Sequence, residues 1–242
     1  MNRPYVICHI LSSLDGKING PFMEAEAVRG LSAEYGRLRA EKNADAWLYG
    51  TTTTKEFTNF KKPESWEDAG TKAPEGDFIA DGQADLYYVS VDTKGEIGWD
   101  SGTFRYRGMT PMHVIEVLTE STPAAYKNDL RNRGVSYIIA GGKELDCRVA
   151  MEKLYALFSI RKLLICGGGL VNWSFLQAGM IDELSLLLAP VTDGGSGAAS
   201  LFARLPSLTQ KKAVEFVLQE AQRMGEGGIY LNYLAKNAEK EA

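Results

Sequence analysis

The residues of this chain that could do chemistry gather where apolar runs give way to turns. The sharpest case is Leu163-Leu164-Ile165-Cys166-Gly167-Gly168-Gly169-Leu170-Val171-Asn172, in which an apolar run enters three glycines and an apolar-patterned helix leaves them. Glycine reaches positive φ without steric cost and lets a backbone approach a ligand closely. The helix that follows offers unpaired N–H groups and the positive end of its dipole. A pyrophosphate suits that geometry; the alternative is a tight connection with no ligand. The pattern is neither G-x-G-x-x-G nor the phosphate-loop G-x-x-x-x-G-K-[ST]. Gly195-Ser196-Gly197 is half a dinucleotide fingerprint that Ser200 leaves unfinished, and reads as a loop. At Trp47-Leu48-Tyr49-Gly50-Thr51-Thr52-Thr53-Thr54, hydroxyls and amides can meet phosphate or ribose, or can simply cap the next helix. At Ser13-Leu14-Asp15-Gly16-Lys17-Ile18, Asp15 and Lys17 either project toward a polar substrate or form an ordinary Asp-Gly turn.

Composition narrows the classes. The 242 residues are 45% apolar and 24% charged with a net charge of −4, enough for a sizeable core and without the basic field that favours nucleic acid or an anionic membrane. No apolar run approaches the roughly 18 residues of a membrane span, and the start Met1-Asn2-Arg3-Pro4 lacks the features of a signal peptide. Cys8, Cys147 and Cys166 are too few and scattered for a disulfide framework and read as reduced thiols, so a cytoplasmic protein is expected. Two histidines, His9 and His113, argue against a His-rich metal site or a Ser-His-Asp triad; both read as structural or surface groups, and no metal is expected.

These turns need elements to position them. Strands are expected at 5–11, 46–49, 86–91, 114–118, 135–140, 163–166 and 184–188, with a closing hairpin of 215–220 and 229–234 around Gly225-Glu226-Gly227-Gly228. Helices are expected at 33–42 behind a Ser32 cap, after the threonines, to about 133 behind Thr122-Pro123, at 148–158 with Val149, Leu154, Leu157 and Phe158 inward, and from the glycines to about 178. Alternating strands and helices, then strands alone, predict a mainly parallel sheet with antiparallel C-terminal strands. Residues 61–83 read as a polar surface excursion and 237–242 as a frayed tail, all within a single domain, 1–242. Open α/β sheets bind ligands beyond the strand C-termini, which is where these turns fall.

Taken in order, several segments are similar to one family. Arg3-Pro4-Tyr5-Val6-Ile7 with Ser13 to Ile18, Leu38-Arg39-Ala40 ahead of Asp45-Ala46-Trp47-Leu48, the three glycines followed by Ser174-Phe175-Leu176 and Asp182-Glu183-Leu184, and Ala189-Pro190-Val191 together resemble the reductase domain of riboflavin biosynthesis over nearly the whole chain. The resemblance implies a dihydrofolate-reductase-like three-layer α/β/α fold, NADPH as hydride donor, a small-molecule substrate and a homodimer. The family reaction takes 5-amino-6-(5-phosphoribosylamino)uracil to its ribityl form by hydride transfer to the sugar C1. Carried over by position, Asp15 and Lys17 are catalytic and Arg39 and Cys166 face the substrate. Thr53, Thr93, Lys94 and the run Gly167, Gly168, Gly169, Leu170, Val171, Asn172, continuing to Ser174, contact NADPH, with Thr93 and Lys94 toward the adenosine ribose and its 2′-phosphate. Two positions depart from the family: Cys166 stands where it has Glu, and Phe57 lies near the place of an acidic residue. The deaminase signature H-x-E with P-C-x-x-C is absent from this sequence. The resemblance therefore leaves three functions: the pathway reductase in stand-alone form, a paralogous NADPH reductase of another heterocyclic or carbonyl substrate, or a non-catalytic nucleotide-binding protein.

Overall fold

Runs of β-branched and aliphatic residues make the strands, and each stops where glycine, threonine or aspartate begins. The structure, a computed structural model, describes residues 2–63, 72, 75–106, 110–204 and 213–236. It divides into two compact units, one built on Asp45–Leu163 and one on Tyr5–Ala44 with the chain from Leu164 onward.

The first unit holds β2 (Ala46–Gly50), α2 (Thr51–Phe57), β3 (Tyr87–Val91), β4 (Thr103–Phe104), β5 (Met112–Leu118), α3 (Ala124–Asn132), β6 (Ser136–Ile139) and α4 (Cys147–Phe158). Its strands run in the order β4, β5, β3, β2, with β6 also paired to β5. β2, β3, β5 and β6 are parallel, and the short β4 is antiparallel. Val89, Val114, Ile115, Val117, Ile138 and Leu154 are fully buried, the pattern of a sheet covered on both faces. Asp146 caps α4, accepting from the N–H of Arg148 (2.9 Å) and Val149 (3.1 Å).

The second unit holds β1 (Tyr5–Ser12), α1 (Glu26–Glu41), α5 (Gly169–Gln177), β8 (Glu183–Leu188), β9 (Phe216–Met224) and β10 (Gly228–Ala235). The last residues of β7 (Lys162–Ile165) also belong to it. Here the order is β7, β1, β8, β10, β9. β1 and β8 are parallel, whereas β8–β10 and β10–β9 are antiparallel. Val28, Leu31 and Leu38 of α1 pack with Leu11, Phe22, Leu187, Met224 and Tyr230. The expected fold class is thus observed: helices and a mostly parallel strand arrangement, antiparallel at the C-terminal strands.

Several boundaries differ from expectation. α1 starts at Glu26, well before Ala33, because Val28 and Leu31 extend the apolar stripe upstream. Ser32 is no cap; it sits inside the helix and its hydroxyl donates to Val28 O (3.0 Å). Thr122 does not cap α3 either, since that role falls to Pro123, while the Thr122 hydroxyl donates to Thr93 O (2.9 Å). In α4, Val149 and Leu157 are only half-buried; Cys147, Ala150, Met151 and Phe158 join Leu154 inside. The two-residue β4 and a 3₁₀ turn at Pro21–Glu24 had no sequence signal. Of the expected excursion, residues 64–71 and 73–74 lie outside the described residues, as does the tail 237–242. The far end of the excursion is tied down: Phe78 and Tyr137 exchange backbone hydrogen bonds of 2.9 Å, and Asp77 Oδ1 accepts from Ile139 N–H and Lys153 Nζ, both at 2.8 Å.

Candidate active site

In the second unit the three glycines are required for different physical reasons. Gly167 (φ 121°) and Gly168 (φ 48°, ψ 133°) hold backbone conformations that L side chains rarely adopt. A Cβ on Gly168 would meet nothing within 4 Å, and one on Gly167 only Ile10 Cδ1 at 3.9 Å. Gly169 is different: a Cβ there would lie 2.2 Å from Ser200 O. The third glycine therefore packs the start of α5 against residues 200–203, and the second leaves its surroundings open. Gly169 O accepts from Ala203 N–H (3.0 Å), and Asn172 Nδ2 donates to Leu201 O (2.8 Å). Asn172 is buried, its Nδ2 serving this segment while its Oδ1 has no hydrogen-bond partner among the described residues, whereas Leu170 is exposed and Val171 half-buried.

The same segment reaches the Asp-Gly-Lys turn. Lys17 and Ser200 form an antiparallel bridge, Leu201 N–H donates to Gly16 O (2.9 Å) and Ile18 N–H to Ala199 O (2.9 Å). Residues 199–203 thus lie between the glycine junction and the Lys17 turn and fix one against the other. The turn is closed by Ser13, whose hydroxyl donates to Asp15 Oδ1 (2.6 Å) and accepts from Lys17 N–H (2.9 Å). Asp15 also accepts from the N–H groups of Asp193 (3.0 Å) and Gly194 (2.9 Å). The Ser13 hydroxyl and then these two N–H groups hold its carboxyl well below the usual carboxylate range. Among the described residues, no carboxylate stands within ion-pair distance of the half-buried Lys17. Its ammonium is the uncommitted charge of this turn.

Arg39 lies half-buried on α1, its guanidinium carbon 6.0 Å from the centre of the Tyr35 ring. Tyr35 stacks on the buried His9 (centroids 4.3 Å, 5° between planes). The His9 ring nitrogens lie 3.0 Å from Ser185 Oγ and 3.2 Å from Tyr35 O. Burial pushes the His9 pKa down to about 4, against the opposing bond to the Tyr35 carbonyl, so the ring is neutral and structural as expected. Cys166 is half-buried and, among the described residues, in no disulfide.

In the first unit, parallel pairing aligns the exits of three strands. Gly50 is the register partner of Val91 and Val91 of Val117, so the segments after β2, β3 and β5 leave from one end. Those segments carry Thr51–Thr54, Thr93-Lys94 and Thr119 to Thr122. The Thr51 hydroxyl donates to Val91 O (2.7 Å) and Thr54 Oγ1 lies 3.0 Å from Tyr88 OH. Thr53 is half-buried and Thr52 exposed. The α2 N-terminus is Gly50 without a side-chain cap, so the threonines are not a capping cluster. Thr93 is half-buried and Lys94 exposed on a turn whose carbonyl, Thr93 O, accepts the hydroxyls of Thr119 (3.2 Å) and Thr122. Thr119, Asp193 and residues 199–203 escaped the sequence reading as site residues; Thr122 is read there only as a helix cap and Ser200 only as the unfinished end of the Gly195-Ser196-Gly197 pattern.

Among the described residues no group of three or more His, Cys, Asp or Glu could hold a metal ion, and no helix is long and apolar enough to cross a membrane.

A 2,5-diamino-6-ribosylamino-4(3H)-pyrimidinone 5′-phosphate reductase of Methanothermobacter thermautotrophicus is 28% identical over 119 residues, 49% of this chain and 54% of that protein. A reductase of the same name from Aquifex aeolicus is 29% identical over 88 residues, 36% of this chain and 39% of that one. The alignments thus span about half the length of the first relative and less of the second. The crystal structure of a pyrimidine reductase-like protein from Corynebacterium diphtheriae superposes with a TM-score of 0.68 at 17% identity, covering 97% of this chain and 92% of that chain; it establishes the fold. The family described as the RibD C-terminal domain matches residues 4–230, nearly the whole sequence. This chain belongs to the RibD C-terminal domain family.

Proposed function

We propose that the chain is an NADPH-dependent reductase of a phosphoribosylaminopyrimidine in riboflavin biosynthesis. The observation that carries this is the glycine junction. A strand delivers Gly168 to the N-terminus of α5 with open space where a side chain would stand, and residues 199–203 fix that junction to the turn bearing Lys17. Family membership and the reductase names of the relatives support the activity.

The residues present fit a dinucleotide. The N–H groups that open α5 suit a pyrophosphate, with Gly167 to Val171 as the cradle. The resemblance assigns Thr53 and Thr93 to the cofactor's ribose and the exposed Lys94 to its 2′-phosphate. When bound, the nicotinamide supplies a hydride, and reduction at the sugar C1 also consumes one proton. Lys17, the uncommitted ammonium, is suited to donate that proton or to hold the substrate's charge. Asp15 holds the 193–194 turn in place, and Arg39 and Cys166 complete the proposed substrate side. The same resemblance implies a homodimer, which sedimentation equilibrium would test.

The experiment is turnover, followed by loss of reduced-nicotinamide absorbance, on 5-amino-6-(5-phosphoribosylamino)uracil and on the diaminopyrimidinone named for the relatives. Dissociation constants for NADPH and NADH are measured in parallel. Turnover of either substrate with NADPH preferred is the expected result; equal constants would overturn the cofactor assignment, and no turnover of either substrate the reaction. A second reading, a paralogue with another substrate, rests on Cys166 and on Phe57, whose ring stacks on Tyr106 (4.4 Å, 29°) and meets Tyr49 edge-on (5.2 Å).

A further inference from the structure

The turn that carries Thr93 and Lys94 leads back to buried carboxylates. Asp92 and Glu116 are both completely buried in the first unit. Ser90 and Glu116 are register partners on the parallel strands β3 and β5, and Asp92 lies two residues beyond Ser90, so the three side chains share one face. Three buried atoms there have no hydrogen-bond partner: Ser90 Oγ, Asp92 Oδ1 and Glu116 Oε2. The other oxygens are committed. Asp92 Oδ2 accepts from the N–H of Glu96 (2.6 Å) and Ile97 (2.9 Å) and lies 3.3 Å from Tyr126 OH. Glu116 Oε1 accepts from Trp99 Nε1 (2.6 Å).

Two adjacent carboxylates with unpartnered oxygens cannot both be ionised in a dry interior. One proton resolves the arrangement. Placed on Glu116 Oε2, it supplies a donor for Asp92 Oδ1 beside the Ser90 hydroxyl. Asp92 is the better site for the charge, since two backbone N–H groups already donate to its other oxygen, whereas Glu116 Oε1 accepts from one indole N–H. Burial raises both carboxyls: Glu116, with the Asp92 charge as second cause, lies well above the usual carboxylate range, and Asp92 is raised against the opposing bonds from the N–H groups of Ile97 and Glu96. The remaining carboxylate near Asp92 is Glu96, which is exposed and paired with Lys55 (3.1 Å).

The ionised Asp92 then ties both ends of the 92–97 turn together. Tyr126 supports it from α3: its hydroxyl donates to Ile97 O (2.9 Å), and a Cβ on Gly95 would come within 2.7 Å of its ring. Thr119 and Thr122 hold Thr93 O from the next strand exit. Every tether is on the inner side of the turn, and Lys94 is left outward. We propose that Asp92, charged and hydrogen-bonded by a protonated Glu116, is a positioning residue that sets the chain's preference for a cofactor bearing a 2′-phosphate. The positioning role rests on the cofactor reading given above; the location of the proton does not.

Two measurements separate them. Infrared spectroscopy at neutral pH should show the carbonyl stretch of a buried carboxylic acid in the wild type and in Asp92→Ala, but not in Glu116→Gln. Its absence from the wild type, or its loss in Asp92→Ala instead, would overturn the assignment of the proton. Titration with NADPH and NADH should show the preference for NADPH falling about tenfold in Asp92→Ala, the scale of losing hydrogen bonds to a charged group. Glu116→Gln, whose amide can donate where the acid did, should keep it, and Asp92→Asn should recover part of it. Should Asp92→Ala not fold, Thr122→Val removes a tether of the same turn and is expected to lower the preference in the same direction. A folded Asp92→Ala or Thr122→Val with an unchanged NADPH/NADH ratio would overturn the positioning role. A wild type without any preference would overturn the cofactor reading, while the infrared result still decides the proton.

Discussion

Replacing Gly168 with alanine separates a glycine required by a ligand from one required by the fold. At φ 48° and ψ 133° an alanine is strained, at a cost of about 1–3 kcal/mol. In a chain of this length that lowers the melting temperature by roughly 2–4 °C per kcal/mol, or about 2–12 °C. No packing penalty is added, because the new Cβ meets no atom within 4 Å. The variant should therefore fold, melt modestly lower and retain its circular dichroism spectrum. NADPH affinity should fall by more than about tenfold, since the methyl group occupies the approach to the N–H groups opening α5. Gly169→Ala is the contrast. Its Cβ would lie 2.2 Å from Ser200 O, a backbone atom that must move and carry the 199–203 segment with it. That variant should lose more stability than Gly168→Ala. Calorimetric titration of both with NADPH, beside thermal unfolding, is the assay. A folded Gly168→Ala that binds NADPH with wild-type affinity would refute the reasoning and leave the junction a structural turn.

Lys17→Met should lower turnover far more than NADPH affinity, since the ammonium is assigned to the substrate; weakened cofactor binding with intact turnover would reverse that assignment. His9 is neutral when folded, with its pKa depressed to about 4 against about 6.5 for a free histidine. Its contribution is therefore complete above pH 6.5 and is lost as pH falls toward 4. Between pH 7 and pH 5 this amounts to about 2 kcal/mol of unfolding free energy, which His9→Gln should largely abolish in urea titrations; an unchanged pH slope would count against it. Cys166→Glu should raise activity on the aminouracil substrate if the chain has drifted from the pathway, and change little if the wild type already turns it over. Thermal unfolding must accompany that variant, because an unpaired buried carboxylate is destabilising, and a stable, cofactor-binding variant no better on that substrate than an inactive wild type would count against the riboflavin reading and leave a paralogous reductase or a non-catalytic nucleotide-binding protein.

What the sequence made legible was local. The glycine junction reads from ten consecutive residues, because the strand, the glycines and the helix are each short-range patterns. The helix that follows the threonines and the closing hairpin read for the same reason. α1 was misplaced because Ser32 looks like a cap until Val28 and Leu31 are known to be buried. The partners of Asp15, at Asp193 and Gly194, lie 178 and 179 residues away, and no spacing rule links them. Nor could the sequence show that Gly169 is glycine on account of Ser200, or that Thr122 serves Thr93 and not its own helix. Those assignments depend on which segments of a long chain meet, and apolar patterning fixes faces without fixing neighbours.

The pairing of β1 with β8 also bears on how the protein is made. Ile7 lies opposite Glu183, so β1 waits for a partner strand synthesised about 10–35 s later at typical elongation rates. Throughout that interval β1, buried from Val6 to Ser12 in the finished protein, has no β8 to cover it. The strands of the Asp45–Leu163 unit pair with near neighbours in sequence and can settle in the meantime. The nascent chain thus carries the apolar β1 without its β8 partner ahead of a maturing middle, a segment that slow or stalled translation would leave open to aggregation.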